Sequence, residues 1–313
     1  LALERGGRYF PESQKSMDIL LALQKALKQA GVEIVTGARV LKISKRSDGF
    51  QISTPGATYT SDSLIIATGG KSYPATGSTG DGYGFTKGFG HTIVPPRPSD
   101  VPLAVREDFI KQLQGLSLKN VELSFSHGKN RISFFGEMLF THYGISGPIV
   151  IDASRPVGQW LEDGPVNCSL DLKPALSNEA LDQRLLRDMD AQGRKTYKNL
   201  LKGLLPSSLI PVFCSLSRIS PDTLVNQLNK EQRGVVKKLL KGIDFTVIGL
   251  RGYDEAVVTA GGVDLSEVNP KTMESKKTPG LYFCGEVLDL DGPCGGYNLQ
   301  IAWSTGFAAG SSA

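Results

Sequence analysis

Long apolar stretches are missing from this sequence: no run approaches the roughly 20 residues needed to cross a bilayer, and no basic-then-apolar leader opens it. Cysteine is scarce, with Cys168, Cys214, Cys284 and Cys294 scattered and no C-x-x-C pair. That spacing argues against a structural zinc site and a disulfide scaffold, and points to a reducing, cytoplasmic setting. Histidine is scarcer still, with only His91, His127 and His142, so a metal centre is not expected. Low complexity and internal repeats are also absent. What is present is ordinary for a globular protein: 313 residues, 40% hydrophobic, 21% charged, with a formal net charge of +4. That length suits about two domains, and so mild a charge does not by itself call for nucleic acid.

The pattern along the chain alternates. Met17, Leu20, Leu23 and Leu27 recur at helical spacing, with Ser16 as a candidate cap and Gly31 where a left-handed residue ends a helix. Strand-like runs follow at 32–36, 40–45, 50–54 and 59–70, the last containing the wholly apolar Leu64-Ile65-Ile66-Ala67 of a buried sheet. A glycine-rich turn at 77–91 enters a short helix. The proline-rich 95–105 reads as a boundary. Residues 101–173 read mainly as strands, including "GPIVIDA". Residues 174–242 read as helices, with Ser220-Pro221 as one cap, and strands return after Gly242. The expectation is α/β: a domain of residues 1–97 and 261–313 interrupted by a β-rich domain (98–173 and 243–260) that carries a helical insertion (174–242).

Two stretches carry chemistry. "SLIIATGGKS" is an apolar strand ending in Ala67-Thr68-Gly69-Gly70, and open α/β sheets bind ligands at strand C-termini. Glycine there lets a ligand approach the backbone. "GLYFCGEVLDLDGPCGGYNLQ" is a second buried strand. It ends in Gly285-Glu286, a carboxylate able to accept from ligand hydroxyls. Gly295-Gly296 then opens the helix that starts at Tyr297-Asn298-Leu299, and free N–H groups at a helix start favour an anion. A ribityl chain and the N1–C2=O edge of a flavin, which is negative when reduced, need both features.

These residues resemble a known family. "GRYFP", "ATGGKSYPATGSTGDGYGF", "GEMLFTHYGISGP", "VTAGGV" and "TMESKKTPGLYFCGEVLDLDGPCGGYNLQIAWSTG" are similar to the BaiN and aminoacetone oxidase-like FAD-dependent oxidoreductases, and more distantly to fumarate reductase flavoproteins. The resemblance runs from Gly7 to Gly310. It implies a two-part, glutathione reductase-type FAD domain interrupted by a β-barrel-like domain with a helical insertion. It also implies FAD as cofactor, allows NAD(P)H as electron donor, and suggests a small organic substrate between the domains. Val40 matches a backbone contact to adenine, Ala67-Thr68-Gly69 line the cofactor, Glu286 takes the ribityl contact, and Gly296 to Leu299 face the pyrimidine edge. His142 and Tyr143 fall near the flavin and are the candidate catalytic proton carriers.

Family members begin with a strand, G-x-G-x-x-G and a helix that cradle the pyrophosphate. No G-x-G-x-x-G occurs in these 313 residues; the expectation is that this N-terminal βαβ segment is missing here. A redox pair of Cys284 and Cys294 has the spacing of no dithiol motif, and buried cysteine is more often a small hydrophobe. Between Arg194 and Lys241 ten basic residues stand against two acidic ones. A nucleic-acid-binding protein built on that insertion is the alternative to an enzyme. Few aromatics are interleaved, so a solvated face with its lysines in water is the expected reading.

Overall fold

The computed structural model describes residues 1–4 and 7–313. Two compact units share the chain: Leu1–Gly70, Gly80–Pro95 and Gly261–Ala313 make the first, Lys71–Thr79 and Pro96–Ala260 the second. The first begins with the antiparallel pair β1 (Ala2–Glu4) and β2 (Arg8–Phe10), followed by helix α1 (Ser16–Gln29). Next comes an antiparallel sheet of β3 (Lys42–Arg46), β4 (Gly49–Ser53) and β5 (Thr58–Ser61). Strand β6 (Leu64–Ile66) and helix α2 (Asp81–Gly88) complete its central part. Strand β7 (Ile93–Ser99) leads into the second unit.

There β8 (Leu103–Val105), β9 (Ser117–His127), β10 (Asn130–Phe140) and β11 (Gly144–Ser146) precede helix α3 (Pro148–Trp160) and β12 (Val166–Asp171). Helices α4 (Asn178–Ala191), α5 (Tyr197–Leu201), α6 (Ile210–Ser217) and α7 (Lys230–Lys241) follow, then β13 (Ile243–Leu250). Strand β14 (Val258–Val263) pairs with β7 and returns the chain to the first unit, which ends in β15 (Leu281–Phe283) and helix α8 (Tyr297–Gly310).

The second unit is a closed barrel in the order β10-β11-β8-β13-β12-β9. Its core follows strand periodicity: Val121, Leu123 and Phe125, then Val166, Cys168 and Leu170, then Ile243, Phe245 and Val247 are all buried, with polar residues between them facing out. Gly144 lets β11 close on β8, because a Cβ there would stand 2.1 Å from the Leu103 carbonyl oxygen. The helices pack their own apolar residues, among them Leu181, Leu185, Tyr197, Phe213, Val236 and Leu240, into the same core. Helix α7 starts from a capping box, with Asn229 and Gln232 bonding each other's backbone N–H at 2.9 and 3.0 Å.

Several expected elements differ. Residues 148–160 form a helix, not the strand read from "GPIVIDA". Pro148 suits the first helical turn, and Ile149, Val150, Ala153 and Val157 bury one face. Ser220-Pro221 makes a turn closed by Thr223 N–H to the Ser220 carbonyl (3.1 Å), not a helix start. The apolar run at 32–36 is no strand: no described residue pairs with it, and Val32, Ile34 and Val35 are about half exposed. Helix α1 forms and ends at Gly31 (φ +72°), yet none of its residues is buried.

Candidate functional site

In the first unit β6 and β15 run parallel, with Leu64, Ile65 and Ile66 opposite Leu281, Tyr282 and Phe283. Both strands therefore end on the same side. Cys284 N–H bonds the Ile66 carbonyl (3.2 Å), so Ala67–Gly70 and Gly285-Glu286 leave the sheet side by side. The apolar strand residues are buried around Ile66, Leu281 and Phe283, while Ala67 and Thr68 are exposed. Gly69 and Gly285 sit at φ +70° and +71°, a conformation that turns each chain sharply away from its strand. Glu286 lies, half-buried, in the single turn Gly285–Val287.

Helix α2 rides on the first strand end through Gly82, where a Cβ would meet Thr68 Oγ1 at 2.0 Å. Its first turn carries Asp81, which accepts from Arg39 Nε and Nη2 at 3.1 and 3.0 Å. That ion pair ties the residue next to Val40 to the glycine-rich loop. Helix α8 is anchored to the second strand end by Gly285 N–H donating to Thr305 Oγ1 (2.9 Å). Its start is open. Gly296 caps it at φ +97° with no side-chain cap, and a Cβ there would meet nothing within 4 Å. The first intrahelical bond is from Gln300 N–H to the Gly296 carbonyl (3.1 Å), so the N–H groups of Tyr297, Asn298 and Leu299 precede the ladder. Gly295 (φ +124°) adjoins the Tyr297 ring. The Asn298 side chain is spent on the protein: it accepts from Gly292 N–H (2.7 Å) and donates to the Gly292 carbonyl (2.9 Å), closing the loop before the helix. Its backbone N–H is what it has to offer a ligand.

The other two candidates, His142 and Tyr143, lie in the second unit in the turn between β10 and β11. Thr141 N–H to the Gly144 carbonyl (2.9 Å) closes that turn, and Val105 N–H holds the Tyr143 carbonyl (3.0 Å). The exposed His142 ring meets Tyr143 edge-on at 4.8 Å. Two residues missed in the sequence complete the cluster. Tyr143 Oη donates to Glu255 Oε2 at 2.7 Å, and Arg251 places its guanidinium 4.1 Å from the Tyr143 ring centroid. Arg251 also holds Glu255 Oε1 through Nε (2.7 Å) and Nη2 (2.6 Å). Burial and the Glu255 bond push the Tyr143 hydroxyl above the usual phenol value; Arg251 keeps the Glu255 carboxyl below the usual carboxylate range. Their signal was only the spacing R-x-x-x-E ahead of a strand, which says nothing about a tyrosine 108 positions earlier for Arg251.

His91, passed over in the sequence, is buried in the first unit. Its ring approaches Ser275 Oγ (2.7 Å) through Nε2 and Glu267 Oε2 (3.1 Å) through Nδ1. Glu267 also accepts from Lys277 (2.6 Å) and from Thr92 N–H and Oγ1 (2.8 Å each). A polar groove of about 660 Å³ on the barrel's outer face, lined by Ser124, Ser133, Asn167, Ser169 and Asp244, contains none of the expected residues. Cys284 is half-buried and Cys294 exposed, and neither is in a disulfide.

The basic insertion departs from its expected form. Lys241 does not point to water: Nζ donates to the Lys173 and Leu176 carbonyls (3.1 and 2.9 Å) and pairs with Asp171 (2.6 Å). Arg233 and Lys237 share Asp182 at 3.3 and 3.4 Å, while Lys238 is exposed. With Lys198 on Asp222 (2.7 Å), four of the ten basic residues are thus paired within the second unit. Among the described residues no helix is long and apolar enough to cross a membrane.

Two parallel strands that end side by side in glycine turns, in a unit separate from the barrel, are features of a Rossmann-like domain. The family description "HI0933-like protein Rossmann domain" matches residues 1–312, and the chain belongs to that flavoprotein family. A 3-dehydro-bile acid delta(4,6)-reductase of Clostridium scindens is 34% identical over 310 residues, which cover 99% of this chain and 76% of that protein. A ribosomal RNA dihydrouridine synthase of Haemophilus influenzae is 34% identical over 303 residues (94% and 72%). One of Escherichia coli is 36% identical over 274 residues (87% and 65%).

Proposed function

We propose that this protein is an FAD-dependent reductase of a carbon–carbon double bond conjugated to a carbonyl group. The observation that carries the proposal is that Ala67–Gly70 and Gly285-Glu286 leave two parallel strands side by side, with α8, whose start is open, anchored to the second strand end through Thr305. These residues fit the ribityl and ring side of FAD. Glu286 would accept from ribityl hydroxyls, and the N–H groups of Tyr297, Asn298 and Leu299 would face the electron-rich pyrimidine edge. The backbone at Val40, tied to α2 through Arg39, fits the adenine side. No G-x-G-x-x-G loop lies within these residues to hold the pyrophosphate. The uncovered apolar face of α1 and the unpaired run at 32–36 fit a cofactor domain that has further polypeptide packed on it.

Bound FAD would supply the hydride. The protein's own share is to hold the ring in place and to provide a proton. Tyr143 is the proton donor in this reading, with its hydroxyl kept protonated beside Glu255, and His142 is the exposed neighbour that exchanges protons with water.

The relatives' names support the bond type. A delta(4,6)-reductase of a 3-dehydro compound and a dihydrouridine synthase each describe saturation of a double bond conjugated to a carbonyl. They differ in what carries that bond, a small steroid acid or an RNA base. Anaerobic turnover of the flavin-loaded protein, with NAD(P)H as donor, tests the reading with a 3-oxo-4,6-diene bile acid and with uridine-containing ribosomal RNA. Saturation of either substrate supports it. Reduction of neither, with amine oxidation in a parallel assay in air, overturns it.

A further inference from the structure

The polar groove on the outer face of the barrel lies wholly within the second unit and shares no residue with the groups assigned to flavin or proton. Strand pairing lays its residues out in two rows across β10, β9, β12 and β13. Arg131, Ser126, Asn167 and Thr246 stand side by side in one row. Ser133, Ser124, Ser169 and Asp244 stand in the next. Their chain neighbours Phe125, Cys168 and Phe245 are buried, so these eight side chains face outward. The concavity, about 660 Å³ and within the range of ligand pockets, follows from their size. Four of the eight are serines, whereas the same faces of β9, β10 and β13 carry Glu122, Phe135 and Ile248 one step further on. Serine packs little against a cross-strand neighbour, and asparagine and aspartate suit strands poorly, so the barrel itself gains little from this choice.

The polar groups divide into those already fixed and those left over. The Ser124 and Ser133 hydroxyls bond each other (2.8 Å), and Ser169 Oγ donates to Asp244 Oδ1 (2.7 Å). Glu107 accepts from Thr246 N–H and Oγ1 (2.8 and 2.9 Å). Among the described residues none bonds the side chains of Arg131, Ser126 or Asn167. Neighbouring strands lie about 4.8 Å apart, so these three set a guanidinium, a hydroxyl and an amide in line, a donor set for one anionic group. Asp244 and Glu107, at the β13 side, are acceptors suited to hydroxyls. One cation against two carboxylates is the wrong balance for a polyanion such as nucleic acid. No aromatic ring faces outward in either row, so a base has no platform to stack on. We propose that this groove binds a polyhydroxylated small molecule with a single anionic group, a sugar phosphate or a sugar acid. The anion lies at Arg131, Ser126 and Asn167, and the hydroxyls lie over the serines and Asp244. The proposal is independent of the flavin chemistry.

The test is a titration of the full-length protein with glucose 6-phosphate, glucuronate, glucose and inorganic phosphate, followed by calorimetry and by 15N amide shifts. The two anionic sugars should bind with Kd at or below about 1 mM and move the amide signals of Ser126, Asn167 and Thr246. Glucose should bind about 5–10-fold more weakly, the worth of one exposed charged bond. Inorganic phosphate should bind more weakly than its sugar ester. The order of glucose 6-phosphate and glucuronate then separates a phosphate from a carboxylate as the anion. Arg131→Met should bring both anionic sugars to the glucose value and leave glucose where it is. Asp244→Asn should weaken all three sugars alike. Both positions are on the surface of the barrel, and neither change should alter flavin content. The wild-type amide shifts locate the site without any variant. No saturable sugar binding, or shifts confined to other surfaces, would overturn the proposal. So would inorganic phosphate binding as tightly as glucose 6-phosphate, which makes the groove a site for an ion only. An RNA oligonucleotide that binds through Arg131 and displaces the sugars would overturn it in favour of a nucleic-acid contact.

Discussion

Replacing Glu286 with alanine removes the carboxylate from the turn that follows β15, without touching the buried strand itself. The expected outcome is a folded protein that retains FAD poorly. Losing a hydrogen bond to a charged group costs about 1.5–3 kcal/mol, roughly tenfold or more in affinity. Flavin affinity by fluorescence titration checks it; an unchanged Kd would remove Glu286 from the site. At the same scale, His91 and Glu267 set how the first unit responds to acid. Bonds from Lys277 and Thr92 hold the Glu267 carboxyl down at about 2, and burial holds His91 below the usual histidine value. Both folded-state values lie below the unfolded ones. The stability they contribute is therefore present above the unfolded values and is lost as pH falls: His91 first, on descending through the histidine range, then Glu267 through the carboxylate range down to about 2. Thermal unfolding of wild type against Glu267→Gln should show the variant less stable at neutral pH and the gap closing in acid. A gap that is constant with pH would contradict the assignment.

Among the elements, the start of α8 is the most exacting. Gly296→Val puts a branched side chain at φ +97°, where only glycine is at ease, and in front of the N–H groups of the first turn. Flavin binding should be lost, with a strain cost of about 1–3 kcal/mol in stability. Normal flavin occupancy in that variant would refute the role given to the helix start. Helix α7 gives a contrast between two lysines three positions apart. Lys241→Met should destabilise by about 1.5–3 kcal/mol because it strips charged bonds from two carbonyls and Asp171. Lys238→Glu, on the exposed side, should stay within about 0.5 kcal/mol. Neither should alter flavin content.

The same elements show what local pattern can convey. The helix at 16–29, the glycine-opened α8 and the alternating barrel strands were legible because period and punctuation agree with the fold. The apolar run 149–151 was ambiguous, since a short apolar stretch suits a buried strand as well as a helix, and Pro148 decided it. The run at 32–36 has strand composition, but a strand requires a neighbour. Lys241 was misjudged because helical spacing fixes a face and not what stands opposite it. Arg251 and Glu255 were invisible for the same reason: the tyrosine they hold is brought to them only by barrel closure.

On the scale of the whole molecule, the labour is divided between units. The residues assigned to the cofactor lie in the first unit, and those assigned to the proton lie in the barrel unit. Family membership and the reductase relative make the protein an oxidoreductase. Four of the ten basic residues of the insertion are paired within the second unit, and it is family membership that decides against a protein that only binds nucleic acid. The central claim is that this fold holds FAD and uses it to saturate a conjugated double bond. The most direct test is the visible spectrum of the purified full-length protein under anaerobic conditions, first alone, then after NAD(P)H or dithionite, then after a conjugated unsaturated carbonyl compound. The account predicts one FAD per chain, bleached by the reductant and restored as the double bond is saturated. A colourless protein that cannot be loaded with FAD, or a bound flavin that no such compound reoxidises, would contradict it.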